Sequence, residues 1–256
     1  MPGASAAPKS EPAQQVVGGL PGAVVDLSPV AWKPGLSSYD LPVAGQGTRS
    51  VVVWVPEAAA PRSLVVLLHG RTGPGAPHGK DPLAPSRALV SCLAAPALGA
   101  LDPILIAPNS PTGEWWERSE TELVLGLVLA VRSRWPEAGS RSVIAGYSNG
   151  GIGSWYFARL YPEYFRAAIP MAFNDTIVGK SPLPIYGIVG TKDEQFDNHR
   201  VRSAVQALQG QGADLILDEK YRGSHFAMCS YVPELTRAGH WLEEHVFSQT
   251  ASGPVP

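Results

Sequence analysis

Short apolar runs recur along the chain, and segments long enough to form helices separate most of them. The runs lie at residues 63–68, 103–107, 142–147, 167–172, 184–189 and 214–217. An uninterrupted apolar run of this length is typical of a strand that is covered on both faces. The helix candidates span residues 86–98, 120–135, 149–160, 201–209 and 233–247. Because right-handed strand-helix-strand crossovers build a parallel sheet with helices on both faces, the alternation predicts an α/β fold with a mostly parallel central sheet.

A β-hairpin is predicted ahead of this alternating region. Residues 41–44 lead through a Gly-Gln-Gly turn into the β-branched run 49–55. A chain of 256 residues can bury one substantial core, so we predict a single domain over residues 21–256. Residues 1–20 are rich in Pro, Ala and Ser and lack both helical periodicity and an apolar export core. We predict that they form a flexible leader.

The charge pattern argues against nucleic acid as a partner. The formal net charge is -2, and no cluster of Lys and Arg with interleaved aromatic residues occurs. The longest apolar run, residues 123–131, is far shorter than the roughly 20 residues of a membrane-spanning helix. We therefore expect a soluble protein with no transmembrane segment. The residues leave open its oligomeric state and whether it is cytoplasmic or exported with a signal absent from this chain.

The two cysteines, Cys92 and Cys229, fit neither a dense disulfide framework nor the spacing of a zinc site. A free cysteine often behaves as a small apolar residue. We therefore predict that each packs in the core, and on this prediction the cysteines do not fix the compartment.

The segment from Gly146 to Gly150 has the pattern Gly-x-Ser-x-Gly, with Ser148 at its centre. It follows an apolar strand candidate and precedes a helix candidate, which is the setting of a nucleophile turn. A serine at such a turn has a strained backbone, and small residues two positions either side let the strand and helix approach closely. Ser148 is therefore a candidate nucleophile.

Three further strand ends carry residues that suit acyl-transfer chemistry. The first strand of the alternating region ends in His69-Gly70-Arg71, whose glycine lets a backbone N–H point toward an oxyanion. Asp193 follows run 184–189, and a carboxylate there can orient an imidazole. His225 follows run 214–217. Since ligands of such a sheet bind beyond the carboxyl ends of its strands, these loops are expected to meet. The order Ser148, Asp193, His225 is that of nucleophile, acid and base.

The remaining histidines suit a catalytic role less well. His69 lies in a turn, and His78 lies in a loop rich in Pro and Gly. His199 opens a helix candidate too soon after the acid, and His240 and His245 both fall within the last helix candidate. No His-Glu-x-x-His or comparable spacing is present, so the sequence predicts neither a metal site nor a cofactor.

On these residues the chain resembles the α/β-hydrolase superfamily from about residue 40 to 247. It is similar to phospholipase/carboxylesterase-type enzymes, including acyl-protein thioesterases, and to polyhydroxybutyrate-depolymerase-like and feruloyl-type esterases. The thioesterase-like members usually carry Gln where this chain has Asn149, and the secreted polyester-degrading members usually have more cysteines. The matching motifs are Leu67-Leu68-His69-Gly70, Ala107-Pro108-Asn109, Gly146-Tyr147-Ser148-Asn149-Gly150-Gly151, Gly190-Thr191-Lys192-Asp193 and Tyr221-Arg222-Gly223-Ser224-His225.

The resemblance implies a role for each site residue. Ser148 attacks an acyl carbon, His225 removes its proton, and Asp193 holds the imidazole. The backbone N–H groups of Asn149 and Arg71 bind the oxyanion. Water then hydrolyses the acyl-enzyme.

Two other carboxylates could serve as the acid. Asp175 follows run 167–172, and some hydrolases place the acid one strand earlier. Glu194 is the third choice. The Gly-x-x-Asp spacing favours Asp193.

The pocket is expected to form from the same loops. Trp115 and Trp116 follow run 103–107 and offer apolar area with a polar edge, although at least one of them is expected to pack inward. Phe226 and Asn174 are further candidates for the pocket wall. Neither of the connections that could carry a helical lid looks long or regular enough for one. The sequence therefore predicts an open site for small or exposed esters.

The predicted function is a serine hydrolase that cleaves carboxylic esters of a small molecule or acyl group. Alternatives on the same triad are a thioesterase or lysophospholipase, and a peptidase or amidase. A non-catalytic binding protein of the same fold is a further alternative, but such proteins typically lack the Ser or the His.

Overall fold

Eight strands form one sheet in a computed structural model that describes residues 22–58, 60–72 and 81–248. The predicted leader and His78 lie outside these residues. The strands are β1 (Gly35–Val43), β2 (Gly47–Val55), β3 (Ser63–Leu68), β4 (Pro103–Pro108), β5 (Ser142–Tyr147), β6 (Ala167–Met171), β7 (Ile185–Gly190) and β8 (Leu215–Lys220). Their spatial order is β1-β2-β4-β3-β5-β6-β7-β8.

The sheet is mostly parallel, as predicted. Strands β4, β3, β5, β6, β7 and β8 run parallel to one another. Strands β1 and β2 form an antiparallel hairpin, and β2 joins β4 antiparallel. The expected α/β architecture with an N-terminal hairpin is confirmed.

The helices account for the segments between the strands. They are α1 (Ala84–Ala88), α2 (Ala95–Leu98), α3 (Arg118–Arg134), α4 (Pro136–Ser140), α5 (Asn149–Leu160), α6 (Asn198–Gln209) and α7 (Val232–Trp241). A π-helical segment, Leu89–Ala94, joins α1 to α2, and a second one, Leu242–Phe247, extends α7. Between β6 and β7 the only helical element is a short 3-10 turn, Asp175–Ile177. This connection therefore holds no helical lid.

The core lies on both faces of the sheet. In β3, Leu64, Val66 and Leu68 belong to one apolar cluster, and Val65 and Leu67 belong to the other. Helices α3, α5 and α6 contribute to the first cluster, while α7 and the helical stretch from α1 to α2 contribute to the second. Because successive side chains point to opposite faces, a strand covered on both faces needs the continuous apolar sequence seen here.

Two edge strands are longer than predicted. β1 begins at Gly35, several residues before the apolar residues at 41–44, and β8 continues through Asp218, Glu219 and Lys220. An edge strand has one strand neighbour and a more exposed surface, so it tolerates polar residues that end an apolar run. Apolar patterning alone therefore misses these ends.

The helical stretch Ala84–Leu101 is long and apolar enough to cross a membrane by length and composition, with a mean hydropathy of 1.3. Half of it is buried inside the protein. Leu89, Val90, Leu93 and Leu98 are fully buried against the sheet. Such packing is the behaviour of a core helix.

The two cysteines form a disulfide, so the prediction that each is a separate core residue is wrong. Cys92 lies in the π-helical segment, and Cys229 lies exposed in a 3-10 turn, Met228–Tyr231. The two elements pack against each other. Their cysteines are 137 residues apart in sequence, so the pairing becomes visible only once the chain is folded.

Replacing both Cys92 and Cys229 with serine should lower the free energy of unfolding by about 2–5 kcal/mol, since the cross-link restricts a long loop of the unfolded chain. Chemical denaturation without reductant measures the difference. A reductant should lower the free energy of unfolding of the native protein to that of the variant and leave the value of the variant unchanged. Equal stability of the two proteins without reductant would contradict this expectation.

Candidate active site

Ser148 lies at the tight turn between β5 and α5. Its backbone has φ 58° and ψ -120°, a region that residues other than glycine rarely adopt. Two main-chain hydrogen bonds hold it there. The N–H of Ser148 donates to the carbonyl of Met171 at 3.0 Å, and the carbonyl of Ser148 accepts from the N–H of Ile152 at 3.0 Å. The helix therefore starts immediately after the serine.

Close packing around the turn requires glycine at three positions. A Cβ on Gly146 would overlap the carbonyl of Gly150, and a Cβ on Gly150 would overlap the carbonyl of Leu68. A Cβ on Gly151 would overlap the carbonyl of Met171. These contacts press the start of α5 against β3, β5 and β6, which explains why small residues flank Ser148.

His225 links Ser148 to Asp193. The Nε2 of His225 lies 2.9 Å from the Oγ of Ser148, and its Nδ1 lies 2.8 Å from the Oδ2 of Asp193. The imidazole is 8% exposed. The hydroxyl of Tyr147 donates to the carbonyl of His225 at 3.1 Å. Burial raises the pKa of Tyr147, so this hydroxyl stays protonated and remains a donor.

The side chain of Asp193 is fully buried. Its Oδ1 accepts from the backbone N–H groups of Gln195 and Phe196, both at 2.8 Å. Burial on its own raises the pKa of this carboxyl, but the hydrogen bonds from His225, Phe196 and Gln195 outweigh it and hold the pKa below its ordinary value. Asp193 is therefore ionised at neutral pH and faces the imidazole as an anion.

The other two candidate acids contact different groups. Asp175 forms a 2.7 Å ion pair with Arg200. Glu194 accepts from the backbone N–H of His225 at 2.8 Å. Among the three carboxylates, Asp193 is the one that contacts the imidazole ring.

Two glycines let the loop after β7, which carries Asp193, meet the loop after β8, which carries His225. We call these the acid loop and the histidine loop. A Cβ on Gly190 would overlap the carbonyl of Gly223, and a Cβ on Gly223 would lie 3.0 Å from the Cα of Gly190. Across this contact the N–H of Lys192 donates to the carbonyl of Gly223 at 3.0 Å. The Oγ1 of Thr191 accepts from the N–H of Arg222 at 2.7 Å. The loops that carry Asp193 and His225 are thus joined by one main-chain hydrogen bond and by one from the main chain of Arg222 to the side chain of Thr191.

The turn after β3 is held by a buried network around His69. The Nε2 of His69 accepts from the N–H of Ser110 at 3.0 Å, so its Nδ1 carries the proton that is donated to the carbonyl of Gly70 at 2.7 Å. The indole N–H of Trp115 donates to the carbonyl of His69 at 2.9 Å. We expected His69 to be an ordinary turn residue; its side chain instead braces the turn that leads to Arg71.

Gly70 and Gly113 allow this turn to lie beside Ser148. A Cβ on Gly70 would lie 3.2 Å from the Cβ of Ser148. A Cβ on Gly113, which has φ 73°, would lie 2.7 Å from the carbonyl of Gly70 and 3.1 Å from the Cα of Arg71. The loop after β4 therefore supports the main chain of residues 70–71 from outside.

The four proposed pocket residues lie in different surroundings. Trp115 is fully buried beside His69, so it packs inward and offers no exposed surface to a substrate. Trp116 is 40% exposed, and Phe226 is 70% exposed with its ring centroid 5.7 Å from that of His225. Asn174 is partly exposed, and its side-chain oxygen accepts from the hydroxyl of Thr176. Phe226 is the one that contacts His225.

Sequence reasoning missed Phe196, whose half-buried ring lies 5.0 Å from the imidazole of His225 in an edge-on arrangement. The sequence offers one signal for this contact: Phe196 comes three residues after Asp193, and a loop that places a carboxylate against the imidazole also places its next residues near the ring. Within residues 22–58, 60–72 and 81–248, no group of three His, Cys, Asp or Glu side chains is arranged to hold a metal ion.

No protein-family model and no curated protein sequence matches the chain. Solved structures do match it. The fluorophosphonate-binding serine hydrolase F of Staphylococcus aureus, with substrate bound, gives a TM-score of 0.65 at 15% identity over 82% of this chain and 99% of that chain. The S-formylglutathione hydrolase of the same organism gives a TM-score of 0.64 at 16% identity over 81% of this chain and 98% of that chain. A serine hydrolase without a lid from Xanthomonas campestris gives a TM-score of 0.59 at 18% identity over 87% of this chain and 98% of that chain.

At this level of identity the comparison establishes the fold. The chain has the α/β-hydrolase fold, in a form that matches a member without a lid. In this fold Ser148 lies beyond the carboxyl end of β5, which is the edge of the sheet where ligands of such folds bind.

Replacing Gly113 with alanine should slow the reaction of the protein with a fluorophosphonate by about tenfold or more, because the added Cβ pushes the main chain of residues 70–71. Gly45 provides a matched control, since it has a similar φ of 77° and no atom within 4 Å of an added Cβ. Gly45→Ala should lose about 1 kcal/mol of stability from the positive φ alone and should keep the native reaction rate. Equal rates for the two variants would contradict the supporting role of Gly113.

Proposed function

We propose that this protein is a serine hydrolase that cleaves carboxylic esters through an acyl-enzyme intermediate. One observation carries the proposal: the imidazole of His225 lies within hydrogen-bonding distance of both Ser148 Oγ and the buried carboxylate of Asp193. A hydroxyl bonded to an imidazole whose other nitrogen faces an ionised carboxylate is the arrangement of an activated nucleophile. The names of proteins with the same fold, among them a ferulic acid esterase, support the same chemistry.

The first step forms the bond between serine and acyl carbon. The Oγ of Ser148 attacks the carbonyl carbon while its proton passes to the Nε2 of His225. Asp193 stabilises the imidazolium that results, because its ionised carboxylate lies 2.8 Å from Nδ1. The pKa of Asp193 lies below its ordinary value, so the proton stays on His225.

The carbonyl oxygen becomes negatively charged in this step. The N–H of Asn149 is suited to meet it, because Asn149 is the first residue of α5 and the first N–H groups of a helix have no partner within the helix. The N–H of Arg71 is the second proposed donor. The bracing of residues 69–71 by Ser110, Trp115 and Gly113 supports this assignment, since an oxyanion site must be rigid before the reaction.

Collapse of the tetrahedral intermediate breaks the ester bond. The alcohol leaves with the proton that His225 took from Ser148, and the acyl group stays on the serine oxygen. Water then attacks the acyl carbon as His225 takes one of its protons, and the carboxylic acid is released when Ser148 regains its hydrogen.

The surroundings of the site suggest a preference for small or exposed esters. The connection between β6 and β7 holds only a 3-10 turn, and the half-exposed Trp116 and the exposed Phe226 offer apolar surface in two loops at this edge of the sheet. A panel of ester, thioester and peptide substrates tests this preference and separates the ester hydrolase from the thioesterase and peptidase alternatives.

The disulfide bears on the compartment. Disulfides form and persist in oxidising surroundings and are rare in the reducing cytosol. We propose that the protein works in an oxidising compartment. Thiol alkylation of the protein, taken from its natural source without reductant, should then leave both cysteines unmodified.

The substitutions Ser148→Ala and His225→Ala should each abolish ester turnover with the fold intact, since each removes a group that takes part in bond making or proton transfer. Asp193→Asn should lower kcat by about 10⁴-fold, because the amide favours the wrong imidazole tautomer. Initial rates with a 4-nitrophenyl ester measure all three.

Asp175→Asn is the matched control for the acid, because it removes a carboxylate that pairs with Arg200. It should retain turnover within about threefold, as expected for a partly exposed ion pair away from the reacting atoms. Full activity in Asp193→Asn together with a large loss in Asp175→Asn would reverse the assignment of the acid.

A further inference from the structure

Glu194 follows Asp193 in the acid loop, and both residues bind His225. Asp193 contacts the imidazole ring, whereas Glu194 contacts the main chain. Its Oε2 accepts from the backbone N–H of His225 at 2.8 Å. Its two oxygens also lie 2.8 and 3.0 Å from the hydroxyl of Ser224, which donates to them. One exposed carboxylate thus connects two successive residues of the histidine loop to the acid loop.

The same hydroxyl extends the connection by one residue. The Oγ of Ser224 accepts from the N–H of Phe226 at 3.2 Å, so the segment 224–226 forms a small hydrogen-bonded unit centred on His225. On the other side of this segment, the carbonyl of His225 accepts from Tyr147. The backbone of His225 is therefore held at its N–H by Glu194 and at its carbonyl by Tyr147.

Holding the backbone matters because the imidazole must reach two partners at once. Asp193 fixes the rotation of the ring, but the position of the ring follows the position of its Cα. A displacement of about 1 Å in a catalytic group can lower a rate about 100-fold. The carboxylate of Glu194 is suited to this task because hydrogen bonds from Ser224 and His225 hold its pKa below the ordinary value, so it accepts as an anion across the neutral range.

We propose that Glu194 is a positioning residue that sets the main chain of His225 and, through it, the distance between the imidazole and Ser148. This inference rests on the proposed function of His225 as general base. It assigns Glu194 a role that differs from the acid role considered from the sequence, because Glu194 contacts the backbone of His225 while Asp193 contacts its ring.

The test compares Glu194→Ala with Glu194→Gln. Alanine removes the acceptor for both donors, whereas glutamine keeps an amide oxygen for the N–H of His225 and an amide group that can bond Ser224. Glu194→Ala should lower kcat about tenfold or more with little change in KM, and Glu194→Gln should restore most of the rate. Initial rates with a 4-nitrophenyl ester give both constants, and thermal unfolding confirms that each variant is folded.

Asp26 offers a matched control. It is an exposed carboxylate that accepts a backbone N–H at 2.8 Å and a serine hydroxyl at 2.9 Å, both from Ser28, and it lies on the segment beside β1. Asp26→Ala removes the same pattern of hydrogen bonds at a site with no contact to Ser148, Asp193 or His225 among the described bonds. It should keep the native rate.

The pH profile provides a readout that a merely structural role would not move. The ionisable groups that contact His225 are Asp193 and Glu194 from the acid loop and Tyr147 from β5. Tyr231, in the 3-10 turn Met228–Tyr231, packs against Tyr147. The loss of one negative charge in Glu194→Gln disfavours the imidazolium. The acidic limb of kcat/KM should therefore shift to lower pH, while the plateau rate stays within about threefold of the native rate.

A native rate in Glu194→Ala would overturn the proposal. So would an equal loss of rate in the Ala and Gln variants. Failure of the proposed function is distinguishable, since it would appear as retained turnover in Ser148→Ala, whatever the Glu194 variants do.

Discussion

The packing of main chain against main chain at the start of α5 is the constraint on which the rest of the structure depends. The carbonyl of Leu68 in β3 lies where a side chain at residue 150 would be, so only glycine lets α5 begin there. This close approach leaves Ser148 in a conformation with positive φ at the edge of the sheet. The strain is supported by the buried strands on either side, as strained turns require. The fold thereby presents a hydroxyl at a fixed point beyond β5.

The remaining site residues are brought to this point by loops that hold each other. The loop after β7 supplies Asp193 and Glu194, which contact the ring and the main chain of His225. The disulfide anchors the turn that follows the histidine loop to the helical stretch after β3. On the far side, the indole of Trp115 secures the turn that leads to Arg71. The described parts of these loops are tied at several points, so the main chain around Ser148 and His225 is held in place by the protein itself.

The sequence predicted the central strands and the order of the loops well, because strands buried on both faces need continuous apolar residues and the loops follow their ends. It also predicted that Ser148, Asp193 and His225 would meet. The pairing of Cys92 with Cys229 was missed, since it depends on how two distant turns pack. The full burial of Trp115 likewise depends on a partner, the carbonyl of His69, that no local pattern reveals.

Mapping of the residue that reacts with a fluorophosphonate tests the central claim most directly. We expect one adduct per chain, located by peptide mass spectrometry on Ser148, and we expect His225→Ala to lose it, because the imidazole 2.9 Å away is the group proposed to activate the hydroxyl. An adduct on another side chain, or undiminished labelling of Ser148 in His225→Ala, would contradict the account.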